Sequence, residues 1–145
     1  MKIVEILSIF AENKPGKLEK ITEVLAHEMI NILGFSIASV KDFGVIKLLV
    51  DDVDRAYEKF KEKGFIVAKL PAFGIELEDR PGGLYEVVRK ISAKGINIES
   101  ALVYVVETRK RAFFVFEVEA PHRTWELLKE ENFNFLETSQ LRTKQ

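Results

Sequence analysis

The chain has 145 residues, 47% hydrophobic and 31% charged, with a net charge of −1. That balance describes a folded domain with a mixed surface and gives no basic footprint for nucleic acid. With no cysteine, disulfides, thiolate catalysis and thiolate metal sites are excluded.

No apolar run is long enough to span a bilayer, and Met1-Lys2-Ile3 begins a strand pattern rather than a secretory signal, so a cytoplasmic protein is expected. Residues 3–10 are apolar and β-branched, broken only by Glu5 and Ser8, and read as a strand. Pro15-Gly16 opens a helix, with proline expected at the first helical position, where no amide donor is needed. Leu18, Ile21, Leu25 and Met29 share one helical face and are expected to be buried. A strand over 31–40, a turn at Asp42-Phe43-Gly44 and a strand over 45–50 follow. Val53, Ala56, Tyr57 and Phe60 mark a second helix stopped by Gly64. Residues 65–70 close the unit as a strand, and Pro71-Ala72-Phe73-Gly74 reads as a connector.

The order then recurs. Strand 75–78, a helix over 81–94 stopped by Gly95, strand 96–106, a turn over 107–110 and strand 111–119 are expected, then a helix over 123–131 and a last strand over 133–138. The polar tail 140–145 is expected to fray.

This is a duplication. Glu12-Asn13-Lys14-Pro15-Gly16-Lys17-Leu18 returns as Glu78-Asp79-Arg80-Pro81-Gly82-Gly83-Leu84, and Ile30-Asn31-Ile32 as Ile96-Asn97-Ile98, at a constant offset of 66. Beyond the second strands the offset becomes 68, as in Tyr57/Trp125 and Phe65/Phe133. The two extra residues are placed in the turn and the connection after it. The fold class is therefore α+β: two ferredoxin-like βαββαβ sandwiches in tandem, over residues 1–71 and 72–145, with antiparallel sheets carrying helices on one face. A unit of that size buries little surface alone and leans on its twin or on another chain. Ala112-Phe113-Phe114-Val115-Phe116 is more apolar than one buried face requires, so its other face is expected to be covered by a second sheet or a partner chain. A homodimer is the expectation.

Nothing in the sequence carries catalysis. There is no Ser/His/Asp signature, Walker loop or GxGxxG, and His27 and His122 have no ligand-spaced partner, so no catalytic, metal or cofactor site is assigned. The repeated loops are the candidates for binding. A free amino acid needs amide donors for its carboxylate and oxygen acceptors for its ammonium. Helix entries supply unpaired amides and partial positive charge, here from Gly16, Lys17 and Leu18 or from Gly82, Gly83 and Leu84. Asn13, Asp79, Asn31 and Asn97 supply side-chain oxygens. The same residues also suit plain helix capping and strand starts, which any duplicated fold would repeat.

At these residues the chain resembles a tandem ACT-domain protein. The family pattern, x-Pro-Gly-x-Leu at the helix entry and Gly-x-Asn-Ile into the second strand, occurs twice, with Met29 in place of the first glycine and Gly95 at the second. The resemblance covers nearly the whole chain. It implies a non-catalytic regulator of amino-acid metabolism that binds a free amino acid, with ligands held between paired modules. The ligand-binding positions it implies are Asn13 and Asn31 in the first copy and Asp79 and Asn97 in the second; with the helix-entry residues Pro15, Gly16, Lys17, Leu18, Gly82, Gly83 and Leu84 they make up the candidate ligand-binding set. The carboxylate of Asp79 in place of an amide implies unequal sites. The alternative is a small regulatory subunit of a biosynthetic enzyme such as acetolactate synthase, with a catalytic enzyme as partner. An RNA-binding reading of the aromatic strand 111–116 lacks the glycine and spacing of that signature and any basic surface, so no nucleic-acid or membrane partner is expected.

Overall fold

A computed structural model describes residues 1–142; residues 143–145 of the tail expected to fray lie outside the described residues. In chain order the elements are β1 (Val4–Glu12), α1 (Lys17–His27), β2 (Ile32–Val40), β3 (Phe43–Val50), α2 (Val53–Glu62) and β4 (Ile66–Glu78). They continue as α3 (Gly83–Ala93), β5 (Ser100–Glu107), β6 (Arg111–Glu117), α4 (Pro121–Leu128) and a short α5 (Thr138–Leu141). Two compact units form. One contains Glu5–Leu70 with Leu141 and Arg142; the other contains Met1–Val4 with Pro71–Gln140.

In the first unit the strand order is β2-β3-β1-β4. Its core joins Leu7, Ile9, Ile46 and Leu48 from the sheet to Ile21, Leu25, Ala56 and Phe60 from α1 and α2. Apolar residues three and four apart on each helix put one stripe against alternating residues of the strands. In the second unit the order is β4-β6-β5, and Phe73, Ile75, Phe114 and Phe116 meet Val87, Ile91 and Leu128.

The registers show where the copies diverge. Ile9 pairs Ile46 and Ile75 pairs Phe114; Ala38 pairs Val45 and Tyr104 pairs Phe113. The offset is thus 66 through β5 and already 68 in β6. One extra residue is absorbed by a bulge between Val105 and Glu107 and the other by the longer β5–β6 turn. Neither lies in the connection beyond, as the sequence reading had placed one of them. A bulge accepts a single residue without shifting the faces of the strand on either side.

Four further expectations are corrected. The connector at Pro71-Ala72-Phe73-Gly74 is strand: β4 runs unbroken through it, with Pro71 exposed. The expected strand over 133–138 is reduced to an isolated bridge between Ile75 and Phe135, with Leu136 N–H donating to the Gly74 carbonyl at 2.8 Å. The segment approaches so closely that a Cβ on Gly74 would lie 2.7 Å from Leu136 Cβ, the kind of contact that selects glycine in a strand. The tail does not fray from residue 140: Gln140 and Leu141 are in α5, Leu141 is buried, and Arg142 pairs with Asp52 at 3.3 Å. Finally, the α1 stripe is Ile21, Val24 and Leu25. Leu18 is 36% exposed and Met29, with φ +58 beyond the helix end, is 87% exposed.

The apolar excess of β6 is covered. Phe113 and Val115 alternate with the core residues Ala112, Phe114 and Phe116, yet are 1% and 0% exposed in the chain by itself. These two side chains do not by themselves call for a partner.

The close approach at residue 74 gives a direct test. Gly74→Ala is expected to cost about 1–3 kcal/mol by overpacking, measured by urea denaturation. The double variant with Leu136→Gly, which removes the colliding Cβ, should recover part of that cost; strictly additive losses would show that the two residues do not collide.

Candidate functional site

Both repeated loops are tight turns feeding helices. In the first, Lys17 N–H donates to the Lys14 carbonyl at 3.3 Å across Pro15 and Gly16; in the second, Gly83 N–H donates to Arg80 at 2.9 Å across Pro81 and Gly82. Gly16 has φ +91 and ψ −13, and Gly82 φ +85 and ψ −11. Proline followed by a residue of positive φ is the type II arrangement, which explains the Pro-Gly pair without reference to a ligand. The helices start at Lys17 and Gly83, so the prolines stand in the turn and not at the first helical position as the sequence suggested. The glycines are N-caps without a side-chain cap. The turn also consumes the Lys17 and Gly83 amides, two of the expected donors. Those of Leu18 and Leu84 remain in the first helical turn, where intrahelical partners are lacking.

The two copies differ around this shared turn. Asp79 Oδ2 accepts from Arg109 N–H at 2.7 Å, and Asp79 N–H donates to the Lys110 carbonyl at 3.0 Å, tying the loop to the β5–β6 turn. Arg80 clamps the loop further, with bonds to Glu78 at 3.1 Å, Glu86 at 2.8 Å and the Pro81 carbonyl at 3.2 Å. The hydrogen bonds to Glu78 and then to Glu86 raise the guanidinium above its ordinary value. A Cβ on Gly83 would fall 2.0 Å from the Glu78 carbonyl oxygen, so glycine there is required by packing. In the first copy only the backbone tie survives, Asn13 N–H to the Asp42 carbonyl at 2.7 Å. The Asn13 side chain is exposed, and the nearest clamp is a loose Lys14–Glu12 pair at 3.6 Å.

Asn31 and Asn97 are not brought to these loops within their own unit. Each lies past the far end of an 11-residue helix, about 16 Å of axial rise from the loop. Asn31 N–H donates to Asp51 Oδ1 at 3.0 Å, while Asn97 lies exposed on a 270 Å³ depression with Gly95 and Arg123.

Sequence reasoning missed a cavity. From Leu18 along α1, 550 Å³ opens between this helix and the edge strand β2, lined also by Thr22, Ile32, Leu33, Gly34, Phe35 and Leu48. Leu18, which begins the expected stripe, is one of its walls and is not buried. Among the described residues no group of three His, Asp or Glu side chains is placed to hold a metal, and no helix is long and apolar enough to cross a membrane.

The ACT domain pair family matches residues 1–144. The chain belongs to the ACT domain pair family. A solved structure of protein BT0572 from Bacteroides thetaiotaomicron is 35% identical over 99% of this chain and 98% of that one, with a TM-score of 0.87. The regulatory subunit of aspartate kinase from Thermus thermophilus, at 15% identity over 90% and 93% of the two chains, has a TM-score of 0.61. That from Thermus flavus, at 12% over 90% and 96%, has a TM-score of 0.53. These last two share the ACT fold. No curated protein matches the chain. The fold class expected from the duplication and the family expected from the Pro-Gly loops are both found.

In this ACT pair the left-handed glycines and the packed glycine should respond differently. Gly16→Ala is expected to cost about 1–2 kcal/mol, the strain of a left-handed alanine in open space. Gly83→Ala should cost clearly more, because the backbone at Glu78 must move; equal costs by urea denaturation would refute the distinction. Asp79→Ala should abolish the slow hydrogen exchange of the Arg109 amide while leaving that of the Asn13 amide unchanged.

Proposed function

We propose that the chain is a non-catalytic regulatory protein that binds a free amino acid through its ACT-type helix-entry loops and works in the cytoplasm as a homodimer. The observation that carries this reading is the first loop. It has an exposed Asn13 side chain, a Gly16 backbone with no side chain over it and the first-turn amide of Leu18, whose side chain lines a cavity. The donors suit a carboxylate and the amide oxygen suits an ammonium. The second loop has its carboxylate and charges already paired, so Asp79, Gly82 and Gly83 serve the fold first.

The distance from Asn13 to Asn31 supports the homodimer. One ligand reaches both residue types only if they come from different modules, an arrangement that a second copy of the chain would supply. A regulatory subunit held by a catalytic enzyme is the same chemistry with a different partner. Retention of an enzyme in a pull-down from native lysate separates the two.

The test is a thermal-shift screen against the twenty amino acids. A ligand at a hundred times its dissociation constant adds about 2.7 kcal/mol to stability, which is readily seen in a chain of this size. Asn13→Ala should weaken that ligand at least tenfold, whereas Asp79→Ala should change its affinity less than threefold. Absence of any shift, or equal losses from both variants, would sink the reading.

A further inference from the structure

The cavity between α1 and β2 constrains the ligand's side chain, a choice that rests on the proposed amino-acid reading and goes beyond it. Its side-chain lining contains no charged group. Thr22 is its single polar side chain, and its hydroxyl is 3.0 Å from both the Leu18 and Glu19 carbonyls of its own helix. A charged or hydrogen-bonding ligand side chain entering there would lose water and find no partner, a cost that an apolar side chain does not incur. Apolar walls with few polar groups, in a volume of this size, are the usual make-up of a small-molecule site.

The second copy changes three of these lining positions. At the positions corresponding to Thr22, Phe35 and Leu48 it carries Val88, Ala101 and Phe116, by the 66 offset for the first two and the 68 offset for the third. Phe116 is fully buried and stacks on Phe114 with ring centroids 5.2 Å apart. Its inner strand thus carries two rings, Phe114 and Phe116, where the first unit has Ile46 and Leu48.

We infer that the first unit alone is a specificity pocket, and that its ligand is an amino acid with an aliphatic or aromatic side chain. The side chain lies against Leu18, Thr22 and Phe35 while the ammonium and carboxylate stay at the loop.

Calorimetric titration of the full chain tests this, with leucine, isoleucine, valine and phenylalanine as apolar probes and aspartate, lysine, serine and glutamine as polar ones. At least one apolar probe should bind tenfold or more tightly than every polar probe. Thr22→Phe, which fills the cavity from the helix, should weaken it at least tenfold. Val88→Phe, at the matching place in the second unit, should change affinity less than twofold. Where a phenylalanine variant melts early, Thr22→Leu and Val88→Leu replace the pair. Preferential binding of a polar probe, or a loss on changing Val88 equal to that on changing Thr22, overturns the pocket assignment and leaves the amino-acid sensor standing. Failure of all eight probes to bind overturns the apolar class, and failure of the remaining amino acids as well removes the sensor reading itself.

Discussion

The left-handed glycine in each Pro-Gly turn is the constraint on which both units depend. Gly16 and Gly82 hold φ near +90, a conformation that costs other residues about 1–2 kcal/mol. That one torsion reverses the chain at the end of β1 or β4 and aims the next helix back over the sheet. Ile21 and Leu25 then lie over Leu7 and Ile9, and Val87 and Ile91 over Phe73 and Ile75. The turn bond that fixes this direction also uses up the Lys17 and Gly83 amides. The proposed ligand would draw on the same few backbone groups as the architecture, which takes the larger share.

Most of the fold was legible because its signals are local. Strand alternation, helical spacing and Pro-Gly or lone-glycine punctuation are read residue by residue, and duplication let one copy check the other. Two of the failures involve contacts across the sequence. Pro71-Ala72-Phe73-Gly74 has the composition of a turn, yet Ala72, Phe73 and Gly74 are buried in continuous strand. Phe133 to Leu136 has strand composition, but packs over Gly74 with only one bridge. The site was legible as two loops and two asparagines. That Asn13 and Asn31 stand a helix length apart follows from geometry, which the motif does not encode. Thr22 and Phe35 are ordinary residues whose importance arises only from the space between them.

Duplication has been followed by an exchange of volume. Phe60 in α2 corresponds to Leu128 in α4, while Ile46 and Leu48 correspond to Phe114 and Phe116. Each core thus keeps aromatic bulk but places it differently: under the second helix in one copy, along the inner strand in the other. Tight packing makes these choices interdependent. The first unit, with its ring on α2, has a cavity beside α1. The loops have diverged in the same direction. Asp79 and Arg80 are committed to hydrogen bonds and ion pairs, while Asn13 is not.

The edge strand joins ligand and assembly in one argument. β2 runs Ile32–Val40 without a charged residue or a proline, and it has a neighbour on one side only. Natural edge strands are usually protected by charge, proline or cover, so an uncharged edge of nine residues is stable in solution when something covers it. The face that β2 turns toward the helices carries Phe35, 53% exposed, and Phe35 is also a wall of the cavity. A second copy covering this edge would therefore cover the cavity mouth, and a ligand inside would present apolar surface to that copy. Whatever free energy the ligand gains from the covered state, assembly gains from the ligand, because coupling between two binding events is reciprocal. Were the proposed ligand and a second copy both to bind at β2, each would strengthen the other by the same amount.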